Sequence, residues 1–382
     1  MRTVDRFLGI PLCWLVGFLT RISRISDSEA TGKPVRNILV IKFFGMGSII
    51  LGTPALALMK HNFPDARITF LTFRKNRELL ERLSAVDRVL TIDPTSGFTF
   101  LRDAVNVIRS ISSIHPDVTF DFEFFSKFST LLSGLSRAPI RVAFELPTYW
   151  RSSIVTHRVP LDKRNHVLHS FCEQVFCLSS RRTQIPCIAA PIVSKDDHAS
   201  LHRKVSIDGK RTIAINVNAG DTFLERRWPG NRFAQLVNAL AGDDEAAVFC
   251  FIGNDEESEY VQNVIRQTAC VERCMNTSGR LTIPDLAALL QRSELLISND
   301  SGPVHLAAAL GIPIVALYGP ESPDFYGIVQ GESTVIYKNI SCSPCMNVYS
   351  AKQFQCPFQA RCMTEISVAQ VLECVRSTVL VN

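Results

Sequence analysis

Apolar and polar positions alternate along most of the chain in blocks of strand and helix length. Asn37-Ile38-Leu39-Val40-Ile41-Lys42-Phe43 is a near-continuous apolar run. Such a run reads as a strand buried on both faces of a parallel sheet. A helical stretch over 49–62 follows, then strands over 67–73, 89–93, 117–123 and 140–144, with a charged helix, a helix over 100–111 and a further helix between them. The pattern blurs from 147 to 207. There only 166–178 reads as helix, and 183–210, dense in turn signals, reads as an interdomain connection. Alternation then restarts. Strands are expected over 212–217, 246–253, 295–298 and 313–318, and helices over 231–240, 255–267, 283–291, 304–310 and 368–379. No short repeat or low-complexity tract interrupts the order. Strand-helix alternation of this kind predicts an α/β fold built on parallel sheets. It divides the chain into residues 1–34, an N-terminal domain over 35–190 and a C-terminal domain over 205–382. Open sheets bind ligands beyond the carboxyl ends of their strands. The two domains are therefore expected to face each other across a cleft.

The first 34 residues follow a different pattern. Between Arg6 and Arg21 lie 14 uncharged residues, which as a helix would extend roughly 21 Å. That is short of the ~30 Å hydrocarbon core, so a simple membrane span is not expected. Three readings stand. Phe7, Leu8, Trp14, Leu15, Phe18 and Leu19, flanked by Arg2, Arg6, Arg21 and Arg24, suit an interfacial anchor. A signal peptide would use Arg2 and Arg6 as its charged start, but a small-residue cleavage site is missing and Pro11 and Gly17 interrupt the apolar stretch. A helix packed on the protein's own surface is the third. The anchor is the reading adopted, with the polar residues 26–36 as the linker.

Composition narrows the class further. A chain of 382 residues that is 46% hydrophobic holds ample core and needs no disulfide staples. Disordered, collagen-like and small disulfide-rich classes are excluded. The net charge of +5 is too mild for a nucleic-acid binder, which usually carries a basic stripe. It suits an anionic small ligand or an anionic membrane face.

The chemistry concentrates at strand ends. Gly45-Met46-Gly47-Ser48 follows the first strand, where glycines let backbone N–H groups approach an anion. It lacks the third glycine of the dinucleotide fingerprint, and it reads equally as a tight turn with Ser48 as helix cap. Ser298-Asn299-Asp300-Ser301-Gly302-Pro303-Val304-His305 is the most informative segment. Asp300 or Ser301 is placed to cap the next helix, and N–H groups of its first turn would suit a diphosphate. His305 would reach a phosphate or sugar hydroxyl from one turn inside; otherwise it is a packed histidine in a well-capped helix. Arg226 and Arg227, in Glu225-Arg226-Arg227-Trp228-Pro229, are suited to paired bonds with phosphate, with Trp228-Pro229 as a rigid platform. Asp255, Glu256 and Glu257 either complement a helix dipole or offer a carboxylate to a ribose. Asp121 and Glu123 alternate with aromatics, which predicts a shared face and makes them candidates for general-base work.

The chain has 12 cysteines, four of them as C-x2-C-x10-C-x5-C: Cys342, Cys345, Cys356 and Cys362. Four thiolates would make a closed structural zinc site, although the second pair does not match a standard zinc ribbon. Packed, unlinked thiols are the alternative. The other cysteines are scattered and read as core fillers.

Taken together these residues resemble a known family. Ile38-Leu39-Val40-Ile41-Lys42, Gly45-Met46-Gly47-Ser48, Thr53-Pro54-Ala55-Leu56 and Phe63-Pro64-Asp65-Ala66 look like the opening of the family 9 glycosyltransferases, the ADP-heptose:lipopolysaccharide heptosyltransferases and their relatives. Arg227-Trp228-Pro229, Arg232-Phe233-Ala234, the run from Asn299 to Ala309 and Leu317-Tyr318-Gly319-Pro320 match strongly, and the resemblance runs from about Arg36 to the C-terminus. It implies a GT-B architecture of two Rossmann-like domains, and an inverting transfer from a nucleotide sugar with no required metal cofactor. By position, Asp300 would contact the donor sugar, Ser301, Gly302 and His305 the diphosphate, Arg226 would replace a phosphate-binding lysine, and Glu257 would meet the ribose. Lys42 matches the basic residue after the first strand, beside Gly45 and Gly47. Implied partners are a nucleotide-sugar donor, a lipid-linked or saccharide acceptor and the cytoplasmic face of the inner membrane.

One position departs from the family. Ser48 stands where these enzymes normally carry the aspartate that activates the acceptor. A serine does not take a proton unaided at neutral pH. Glu123, with Asp121 nearby, is the expected replacement base. A non-catalytic nucleotide-sugar-binding protein and a GT-B sugar-nucleotide epimerase are the competing readings.

Overall fold

The computed structural model describes residues 9–24, 34–145, 151, 153–162, 164–179, 181–207, 209–220, 223–346 and 355–380. The chain divides into two compact units, Met1–Ala189 and Ala190–Asn382.

The first unit carries six parallel strands: β1 (Asn37–Ile41), β2 (Arg67–Phe73), β3 (Arg88–Ile92), β4 (Val118–Asp121), β5 (Ile140–Glu145) and β6 (His157–Pro160). Their order across the sheet is β3-β2-β1-β4-β5-β6. The second repeats the plan with β7 (Thr212–Asn216), β8 (Val248–Phe251), β9 (Cys274–Asn276), β10 (Leu295–Asn299), β11 (Ile314–Tyr318) and β12 (Ser333–Tyr337), ordered β12-β11-β10-β7-β8-β9. Both are doubly wound sheets. In each, strand order reverses between two central strands, β1 and β4 or β7 and β10. That switch point is where such sheets leave a crevice for a ligand. Register places Ile41 opposite Asp121 in the first unit and Asn216 opposite Ser298 in the second.

The central strands are buried along their whole length, apart from the half-buried Asn37, as their unbroken apolar sequences require. Edge strands β6, β9 and β12 are short and partly exposed. They lack the apolar run of the central strands, which is why the pattern does not announce them.

Helices fill the connections: α1 (Gly9–Arg24), α2 (Met46–Leu51), α3 (Thr53–Asn62), α4 (Gly97–Ile114), α5 (Lys127–Leu135), α6 (Val167–Phe176), α7 (Lys195–Lys204), α8 (Gly230–Asp243), α9 (Ser258–Ile265), α10 (Ile283–Gln291), α11 (Gly302–Leu310) and α12 (Val368–Leu380). The helix expected over 49–62 is two, because Gly52 closes α2 and Pro54 opens α3. Part of the expected connection over 183–210 is helical. Ser194 and Asp197 form a capping box that starts α7, and Lys204 pairs with Asp285 of α10 at 2.5 Å. α7 therefore belongs to the second unit, and its few apolar side chains explain its faint periodic signal.

Candidate functional site

At the first switch point, the backbone leaves β1 through Lys42, Phe43 and Phe44 into Gly45. Gly45 has φ of +82°, a conformation only glycine adopts without strain. Ser48 does not cap the helix. The cap position is Gly45, without a side-chain bond, and Ser48 lies inside the six-residue α2, half-exposed. Glu123 holds this turn from the end of β4. Its Oε1 accepts from the Phe43 N–H at 2.7 Å, the Phe44 N–H at 3.0 Å and Lys42 Nζ at 3.4 Å. Lys42 is nearly fully buried, with its ammonium over the Phe124 ring at 5.4 Å.

Asp121 and Glu123 bond to different groups. β4 ends at Asp121, and the two carboxylates turn to different partners. Asp121 is fully enclosed and accepts from Ser129 Oγ and Thr130 Oγ1 of α5, both at 3.0 Å, and pairs with Arg151 Nη2 at 3.2 Å. Burial pushes its carboxyl above the usual range, with Arg151 opposing. An enclosed carboxyl cannot meet a substrate, so Asp121 is a packing hub. Glu123 has its Oε1 committed to three donors, the geometry of a group that holds the turn in position.

The second switch point is built differently. Asn299, at the end of β10, accepts from the Trp228 N–H at 2.9 Å and donates to the Val217 carbonyl at 2.9 Å. Trp228 is no platform for a ligand: it is fully buried, edge-on to Phe233, with its indole N–H on the Ile366 carbonyl. Its burial anchors Arg226 and Arg227 at the strand ends. Arg226 Nη1 meets Asp300 Oδ2 at 3.2 Å, and Nη2 donates to the Ala219 carbonyl at 2.7 Å. Arg227 lies over the Tyr260 ring at 4.6 Å and 3.7 Å from Glu257. The Nε groups of both arginines are buried without a hydrogen-bond partner. Glu257 precedes α9 rather than sitting within it, and accepts from the Asn254 N–H at 3.0 Å.

Ser301 occupies the cap position of α11 but does not cap it. Its hydroxyl accepts from Asn216 Nδ2 at 2.7 Å and donates to the Asn299 carbonyl at 3.1 Å. With the side chain engaged elsewhere, the first turn of a nine-residue helix is left without a side-chain acceptor. Such an end, beside two arginines, is suited to an anion. His305 is buried one turn inside. Burial raises the Asp300 carboxyl despite Arg226. Glu321, beyond β11, is pushed up to about 8 by burial first and then by the Asp300 charge. It holds its proton at neutral pH, which spares an incoming anion a second negative charge.

The structure thus brings Arg226, Arg227, Glu257, Asp300, Ser301, Gly302 and His305 to one end of one sheet. Sequence reading missed Glu321 and Asn216. The rule that polar residues at or just past the end of a buried strand line the crevice would have found both.

The cysteines differ from expectation. Among the described residues, no group of three or more His, Cys, Asp or Glu side chains is arranged to hold a metal ion. Cys342, Cys345, Cys356 and Cys362 are free and lie near enough to feel one another's charge. Cys362 is buried against the end of β11, and burial pushes its thiol up to about 11. Cys356 Sγ accepts the Ala360 N–H at 3.3 Å. Burial also raises the Cys345 thiol.

Two doubly wound units, one with cations left exposed at its switch point, define an α/β protein of two Rossmann-like domains. Residues 191–354 match the family described as glycosyltransferase family 9 (heptosyltransferase). Lipopolysaccharide heptosyltransferase 3 of Escherichia coli is 23% identical over 292 residues, covering 73% of this chain and 82% of the relative. A family 9 glycosyl transferase from Veillonella parvula superposes with a TM-score of 0.76 at 24% identity, covering 91% of this chain and 98% of that one. The ADP-heptose lipopolysaccharide heptosyltransferase II of E. coli superposes at 0.73 with 19% identity, covering 90% and 98%. The chain is a glycosyltransferase that resembles the family 9 heptosyltransferases, with the family's pattern matched over residues 191–354.

Proposed function

We propose that this chain moves a heptose-like sugar from a nucleotide-diphosphate donor to a lipid-linked or lipopolysaccharide-type saccharide. The reaction is placed at the cytoplasmic face of the inner membrane and runs with inversion, without a required metal ion. The observation that carries the reading is the Arg226–Asp300 pair beside the uncapped start of α11. The relatives' names, lipopolysaccharide heptosyltransferases, support the substrate class.

In this reading the acceptor oxygen attacks the anomeric carbon as the bond to the diphosphate breaks. Charge developing on the leaving oxygen is met by Arg226, Arg227, His305 and the backbone at Ser301 and Gly302. Asp300 orients the donor sugar and Glu257 the ribose. In the first unit, Lys42, Gly45 and Gly47 shape the turn on the acceptor side, and Glu123 holds it. Ser48 orients the acceptor hydroxyl by hydrogen bonding, and the proton leaves to solvent.

The test has two stages. A panel of nucleotide sugars is screened by thermal shift, since a ligand bound only by the folded state raises stability. The donor found is then offered with a heptose-deficient lipopolysaccharide core, and mass spectrometry seeks the gain of one sugar. No stabilising donor, or no added sugar, counts against transfer. Ser48 favours one second reading, a donor-binding protein without turnover; it predicts a clear thermal shift and no product with any acceptor. Conversion of donor alone would point to an epimerase.

A further inference from the structure

Helix α1 is apolar on both sides, and among the described residues only one side is covered by protein. It packs on α5. Cys13 is fully buried in that contact, its thiol facing the Lys127 carbonyl at 3.8 Å, with Ile154, Val16 and Leu131 around it. The approach is close enough to need a glycine on α5: a Cβ on Gly134 would meet Val16 Cγ1 at 2.6 Å. The opposite side carries Leu12, Trp14, Leu15 and Phe18, exposed by 42%, 65%, 55% and 63%. A helix apolar all round is normally covered all round. At 16 residues α1 extends about 24 Å, and no described helix is long and apolar enough to cross a membrane.

We propose that this outward face is a docking surface for an anionic lipid headgroup layer, with α1 lying in the interface and fixed to the first unit through Cys13 and Gly134. Charge selects the occupant. In the sequence, Arg2, Arg6, Arg21 and Arg24 flank the apolar stretch, with Asp5 as the only acid up to Arg24. Cations beside a buried apolar face are what an anionic bilayer binds. A tryptophan among leucine and phenylalanine suits the headgroup level. A second copy of the chain would set arginines against arginines, a like-charge contact that opposes pairing. The inference rests on the proposed function only for the reason to be near a membrane; lipid binding needs neither donor nor acceptor.

The experiment uses the full chain with vesicles of phosphatidylcholine alone or mixed with phosphatidylglycerol, read by co-sedimentation. Binding to the anionic vesicles is expected, weaker on neutral ones and weaker with added salt. The double variant Leu15→Glu/Phe18→Glu should lose about tenfold or more of that binding while keeping its unfolding temperature and donor response. Wild-type protein that stays in the supernatant with anionic vesicles overturns the proposal. So does a double variant that sediments like wild type, or a wild-type dimer on light scattering that the double variant abolishes. If vesicles bind and no sugar is transferred, the proposed function fails and the docking face stands.

Discussion

The two switch points share a topology and a pairing of cation with carboxylate, yet they are in opposite electrostatic states. In the first unit the Lys42 and Glu123 side chains are 2% and 6% exposed, and the carboxylate is also bonded to two backbone N–H groups. The charges are spent inside the fold. In the second unit Arg226 and Arg227 remain 22% and 17% exposed, with unpartnered Nε groups beside an uncapped helix. Those charges have capacity left. The same doubly wound plan therefore gives one turn whose charges are satisfied within the fold and one crevice whose cations keep unused donors. What distinguishes them is how completely each charged group is satisfied, not which residue types are present.

Breaking the open side should have the largest effect. Arg226→Ala removes the cation from the crevice and leaves Asp300 buried without its partner. We expect kcat/KM to fall about 10²- to 10³-fold with weakened donor binding, read by steady-state kinetics and thermal shift. An effect under threefold would mean the arginine is structural only.

On the closed side, Ser48→Asp supplies the carboxylate the turn lacks. Turnover should rise by about tenfold if proton removal limits the rate, with donor affinity unchanged. No change would place the limiting step elsewhere. The role of Glu123 follows from a pair of variants. Glu123→Gln keeps an acceptor for the Phe43 and Phe44 N–H groups and should lose less than about tenfold in kcat, since an amide still bonds where a base would be abolished. Glu123→Ala should lower the unfolding temperature. A loss of a thousandfold or so in the glutamine variant, with folding intact, would restore Glu123 as the base.

The smallest expected effect is in pH dependence. Glu321 is raised from 4.5 to about 8 in the folded state. The unfolded chain releases this proton near its ordinary value while the fold retains it, so the contribution is full below pH 4.5 and declines up to about pH 8. Denaturant titrations of wild type and Glu321→Gln across that window should show a shallower decline in the variant. Parallel curves would mean that Glu321 ionises normally.

Much of this was legible along the chain. The central strands stand out because strands buried on both faces are written as uninterrupted apolar runs. β2 and α10 fall on the expected 67–73 and 283–291. The polar block Asn299–His305 is visible because polar residues between two buried strands have to face a crevice or carry a cap. The edge strand β3 was legible, but β6, β9 and β12 were not, since a strand paired on one side only needs no unbroken apolar pattern. Trp228 looks like a ligand platform in sequence because it lies beside two arginines. Its burial under Ile366 comes from a residue far along the chain, in the segment before α12.

Local information alone determined the central strands, most of the helices and the family resemblance, because periodicity and motif spacing act within a few residues. Only the tertiary structure decided the division of labour between the strand ends. Lys42 meets Glu123, Asp121 meets Arg151, and Arg226 meets Asp300 across sequence separations of 81, 30 and 74 residues. Whether a carboxylate is a base, a clamp or a buried hub depends on which donors the fold brings to it and how much water it leaves there. Neither quantity is written in the local sequence.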